Sequence, residues 1–255
     1  MALVSLIVMI PLVLVTSFMS GIFGMAGGLI LLWFLFLIAP ASVAIAIHGI
    51  IQTVSNASRA WLSRRYLDVK ILAIVSFGLL SAMAVLYIIQ YTPNVPFALI
   101  MLGLMPILLW LPASWITFDA SRPSHALACG LISGALTIMV GSAGPLIDLF
   151  FIRTRLDRHQ VIATKSTIQV VAHFTKVVFY LNAALSLDGM GWTTVIICIP
   201  MAYIGAWLGK FVLDRMSDLQ FRSWTRMIVT CIGGLCCNVL NTVFVARRAS
   251  DLSED

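Results

Sequence analysis

The chain has 255 residues, 61% of them apolar and 10% charged, with 16 basic against 10 acidic side chains, a net charge of +6 and a mean hydropathy of +1.04. Soluble domains carry about a quarter charged residues, so this composition excludes a water-soluble fold and indicates an all-α polytopic membrane protein. The pI near 9.3 calls for no nucleic-acid partner, because basic residues gathered in short loops follow the positive-inside rule.

The first apolar block runs from residue 3 to 38 and starts on Ala2-Leu3-Val4 without a basic n-region, so it reads as a membrane segment rather than a cleaved leader. Gly21-Ile22-Phe23-Gly24-Met25-Ala26-Gly27-Gly28 interrupts it and predicts a broken helix. Runs long enough to span follow at about 43–62, 69–90 and 95–112, and then a short polar linker over 114–124. A second block, 125–152, is interrupted by Gly141-Ser142-Ala143-Gly144-Pro145. Further runs at about 159–181, 192–213 and 223–245 precede a polar tail over 247–255.

Shifting the sequence on itself by 117 residues lays Gly24-Met25-Ala26-Gly27-Gly28-Leu29-Ile30 over Gly141-Ser142-Ala143-Gly144-Pro145-Leu146-Ile147, with five of seven positions identical. The same shift puts Gln52 on Gln169 and Arg59 on Lys176. Two copies of one unit are therefore expected, 1–113 and 125–246. Loop charges set their relative orientation. Arg64, Arg65 and Lys70 of the first copy correspond to a stretch of the second holding only Asp188, and the uncharged Ala39-Pro40-Ala41-Ser42 corresponds to a stretch carrying Arg153, Arg155, Arg158 and His159. The third loop pair agrees: Gln90–Pro96 is uncharged and 210–226 is basic. The expected architecture is thus two inverted repeats, each a re-entrant, glycine-broken helix pair followed by three transmembrane helices. Arg247-Arg248 after the last span runs against this topology; eight spans with parallel copies is the alternative.

Glycine-rich breaks at membrane depth require cover from protein or a water-filled cavity. The half-helix after each break presents free N–H groups and a positive dipole end, a setting for an anion. Close helix packing through small residues is the other reading of these glycines. The segment after each break carries a polar face, His48, Gln52, Asn56 and Arg59 in the first copy and Lys165, Gln169, His173 and Lys176 in the second. Ionisable groups at depth face a cavity or bundle interior. Lys165, about 9 Å inside its segment, is the expected substrate cation, whereas Arg59 and Lys176 lie close enough to span ends to snorkel to the interface. The two glutamines suit substrate contact or interhelix glue. Asp148 is a candidate coupling proton site or a partner of Lys165, with a fixed pair to Arg153 as the alternative. Thr16, Ser17, Ser20, Ser133 and Thr137 flank the breaks, and such hydroxyls usually bond back to their own helices.

The breaks, with Ser20-Gly21-Ile22-Phe23-Gly24-Met25-Ala26-Gly27-Gly28 in one and Val140-Gly141-Ser142-Ala143-Gly144-Pro145 in the other, followed by Ala163-Thr164-Lys165-Ser166, resemble the TauE/SafE family of membrane transporters. The second copy is the closer; in the first, Leu29-Ile30 replaces the Gly and Pro that usually continue the motif. The resemblance implies a bacterial inner-membrane permease, with some members exporting sulfite or organosulfur anions.

Together these readings give a multi-pass secondary transporter moving a small anion by alternating access. The expected substrate residues are Gly24, Gly27, Gly28, Gln52, Gly141, Ser142, Gly144, Pro145, Lys165 and Gln169, with His48, Asn56, Asp148 and His173 for coupling or gating. The partners are the anion, the bilayer, a proton or other coupling ion, and a second copy as candidate homo-oligomer. No enzymatic motif is found, and Cys129, Cys198, Cys231, Cys236 and Cys237 lie in apolar runs without zinc-site spacing, so neither catalysis, cofactor nor metal is expected. A channel-like anion pore and a non-transporting membrane anchor or assembly factor are the alternatives.

Overall fold

A computed structural model describes residues 2–23, 26–112, 115 and 117–217, and beyond these only 220, 224, 227, 228, 230, 231 and 234. The described residues form ten α-helices and one 3-10 turn, without a strand: α1 (Ala2–Phe23), α2 (Ala26–Ile38), α3 (Ala41–Ser63), the turn Arg64–Tyr66, α4 (Val69–Ile88), α5 (Val95–Trp110), α6 (Pro123–Met139), α7 (Gly144–Phe151), α8 (Arg158–Phe179), α9 (Leu181–Leu185) and α10 (Gly189–Leu213). These bounds meet the expected runs within about three residues. The expected span 223–245 falls almost wholly outside the described residues, as do Gly24 and the tail.

Local sequence explains where several helices begin. Asp68 accepts from Ile71 N at 2.9 Å to start α4, Asn94 from Phe97 N at 3.0 Å to start α5, and Asp188 from Gly191 N at 2.6 Å to start α10. A full capping box starts α8: Asp157 accepts from Gln160 N at 2.9 Å and Gln160 Oε1 accepts from Asp157 N at 3.1 Å. The second break occupies 140–143, where Gly141 adopts φ +91, a backbone region that glycine alone enters readily.

Two helix pairs dominate the packing, α1 on α10 and α4 on α6. Both close through glycines. A Cβ on Gly205 would stand 2.5 Å from Leu14 O and one on Gly209 2.3 Å from Phe18 O; one on Gly130 would stand 2.1 Å from Val75 O and one on Gly134 2.7 Å from Leu79 O. These are small-xxx-small seams that let backbones touch. Between the two pairs lie α3 and α8, side by side. They run antiparallel: Gly49 meets Val177 and Lys176, Arg59 reaches Gln169, and Tyr66 stacks on His159 at 5.0 Å. The linker is less free than its polarity suggests, because Phe118 stacks on Phe150 at 4.6 Å and Ala120 N donates to Phe150 O.

Candidate functional site

Because α3 and α8 are antiparallel, their polar faces meet along the middle of the pair. His48, Gln52, Asn56, Gln169 and His173 are all buried there. So are Lys176, at 0% exposure, and Arg59, at 9%. The snorkelling expected for these two cations is therefore corrected: both heads point inward. The physical reason lies at the breaks, since a helix that ends inside the bundle leaves unpaired carbonyls with partial negative charge. Lys176 Nζ donates to Gly141 O at 2.7 Å, beyond the end of α6, and Arg59 Nη1 donates to Ser20 O at 3.0 Å, in the last turn of α1.

One hydrogen-bonded chain joins the two halves. His48 Nε2 lies 2.9 Å from Gly28 O, and Lys176 Nζ lies 2.7 Å from His48 Nδ1. A carbonyl can only accept, so Nε2 carries the proton and Nδ1 accepts from Lys176. Gly28 O, His48, Lys176 and Gly141 O thus form a single line from one glycine segment to the other.

A second network surrounds Arg59. Its Nη2 donates to Asn56 Oδ1 and to Gln169 Oε1, the latter at 3.3 Å, while Asn56 Nδ2 donates to Gln52 O at 2.8 Å. Gln52 lies against Gly28, where a Cβ would stand 3.2 Å from its Nε2. The His48 and His173 rings meet edge to face at 5.4 Å. Among the described residues, Gln52 Nε2, His173 Nδ1 and the hydroxyls of Ser20 and Ser55 are buried without a partner. Buried polar atoms are normally paired, and donors left open on the elements that hold the two cations make a place able to bind an oxyanion.

The expected glycines and their neighbours divide. Gly27 packs so tightly that a Cβ would fall 1.7 Å from Thr16 O, which folds the start of α2 back onto α1. Ser142, Gly144 and Pro145 are buried around the second break, while Gly24 lies outside the described residues. Lys165 is not in the central cluster. It pairs with Asp148, their side chains 23% and 21% exposed. Thr16 donates to Leu12 O at 2.7 Å, as a helix hydroxyl usually does. Ser55 escaped the sequence reading. It lies three residues beyond Gln52 on the same helix face, a spacing that was available to find it.

Residues 9–235 match the family described as sulfite exporter TauE/SafE. The chain belongs to the TauE/SafE sulfite exporter family. Membership makes it a membrane transporter, and members of the TauE/SafE family are transporters rather than enzymes. In this TauE/SafE chain, α4 and residues 191–213 of α10 are long and apolar enough to cross a bilayer. No curated protein and no solved structure matches the chain.

Proposed function

We propose that this TauE/SafE protein is a secondary transporter that moves sulfite or a related organosulfur anion across the bacterial cytoplasmic membrane by alternating access. The observation that carries the reading is the buried cluster where α3 crosses α8: two cations, Arg59 and Lys176, with donors on Gln52, Ser20 and Ser55 left for a ligand. An anion there would lie between the glycine segments at Gly27–Gly28 and Gly141–Pro145, with Gln52 and Gln169 as neutral donors. Lys165 and Asp148 are the proposed coupling pair, because a carboxylate on the half-helix α7 meets an amine on α8.

The proposed frame is two inverted repeats, 1–113 and 125–246. Its supports are independent of loop charge. The 117-residue shift carries α1, α2, α3, the 3-10 turn and α4 onto α6, α7, α8, α9 and α10. Under the same shift the α1–α10 contact becomes α6–α4. Ser20 O meets α3 at Arg59 and Gly141 O meets α8 at Lys176, two positions that the shift lays on each other. Because α3 and α8 run antiparallel, these two contacts lie toward opposite ends of the pair. These correspondences support reading the two broken pairs as re-entrant and related by an axis in the membrane plane.

The test is solid-supported-membrane electrophysiology on proteoliposomes, applying sulfite, sulfoacetate, sulfate and thiosulfate in turn over a pH series. Saturable currents for a sulfur anion are expected, absent in Lys176→Met and Lys165→Ala although both variants purify folded. Flux that rises without saturation would indicate a pore, and silence both in currents and in tracer exchange would leave an anchor or assembly factor as the reading.

A further inference from the structure

The basic end of the bundle, where α3 leads into the 3-10 turn, holds a cavity of about 760 Å³. Its volume lies in the range of small-molecule sites. Arg59, Arg64, Arg65 and Lys210 line it, and among the described residues of the lining Asp214 is the one carboxylate. Arg64 is turned onto Trp61, donating to its carbonyl at 2.8 Å and lying 4.2 Å over its ring. Arg65 and Lys210 have no ion-pair partner among the described residues. Arg59 forms the inner wall, and it is the same guanidinium that donates to Ser20 O and Gln169 in the central cluster.

We infer that this cavity is a second anion-binding site, in series with the central one, which takes a sulfur oxyanion at the basic face and delivers it to Arg59. A cleft lined by one sign of charge between low-dielectric walls concentrates the opposite ion and raises its on-rate by about 10- to 1000-fold, an effect that salt suppresses. Guanidinium groups suit oxyanions because their N–H pairs match two oxygens at once. Arg65 and Lys210 supply positive charge toward the opening, while Arg59 is already oriented by the central cluster where the anion would next bind. The delivery role rests on the transport reading above; anion binding in the cavity does not. The phosphate of an anionic lipid headgroup offers the same chemistry, so the source of the anion has to be separated.

Equilibrium dialysis of the full chain in neutral detergent against radiolabelled sulfite reads the site directly. Arg65→Gln/Lys210→Gln is expected to lose one bound anion per chain, and Arg65→Lys/Lys210→Arg to retain it; unchanged stoichiometry in the neutralised variant overturns the site. In phosphatidylcholine vesicles the neutralised variant is expected to raise KM for sulfite about tenfold, with Vmax kept and a flatter salt dependence. A defect confined to vesicles containing phosphatidylglycerol would assign the cavity to a lipid headgroup and overturn the substrate assignment. Loss of the bound anion in a protein that transports none of the tested anions would sustain the site while the transport reading fails.

Discussion

Lys176 and Arg59 sit near the ends of apolar runs, where an isolated helix would send them to the interface. Inside the fold each instead meets a carbonyl at or just beyond a helix end, Gly141 O for Lys176 and Ser20 O for Arg59. A buried cation is tolerated when hydrogen bonds replace its water, and the breaks supply those bonds. Lys165 follows a different logic: it keeps partial contact with the surface and neutralises Asp148. A double-mutant cycle of Asp148→Asn and Lys165→Gln, read by thermal unfolding in detergent, is expected to give a coupling of about 1 kcal/mol, modest because both groups remain partly exposed. Additive singles would mean that the pair does not form in solution.

The helices themselves are written locally, since caps at Asp68, Asn94, Asp157 and Asp188 coincide with the starts of apolar runs. How closely helices approach is decided by single glycines. At Gly130 a side chain would meet Val75 O at 2.1 Å, and at Gly205 it would meet Leu14 O at 2.5 Å; a backbone oxygen cannot swing aside. Gly130→Val and Gly205→Val are each expected to destabilise the protein by about 1–3 kcal/mol, seen as a fall in the melting temperature measured by fluorescence-detected size exclusion. Gly189→Ala is the control, because nothing lies within 4 Å of its would-be Cβ. Equal effects at all three positions would deny that the seams hold the bundle.

Across the whole molecule, the end of α3 and the start of α8 share one face: Asp68 N donates to Thr164 Oγ1 at 3.0 Å, and Tyr66 stacks on His159. This juxtaposition brings Arg64 and Arg65 together with the basic loop at 153–159, which the positive-inside rule assigns to the cytoplasm. Single cysteines at Arg65 and Arg155, in a chain cleared of its own cysteines, are expected to react with an impermeant maleimide only from the cytoplasmic side. Cysteines at Asn94 and Ser186 are expected to react only from the other side. Labelling of Arg65 and Arg155 from opposite faces would break the inverted arrangement.

Composition was enough to determine a helical membrane protein, because 61% apolar residues in runs of about 20 have no other solvent than lipid. The polar faces of α3 and α8 and the two breaks were likewise legible, since helical spacing and glycine are local properties of the chain. Which cations enter the central cluster was not local. That choice depends on α3 and α8 running antiparallel, which sets His48 against Lys176 and Arg59 against Gln169 across more than 100 residues of sequence. It depends equally on where α1 and α6 end, because a helix terminus inside the bundle exposes the carbonyls that hold Arg59 and Lys176 inward while Lys165 pairs with Asp148.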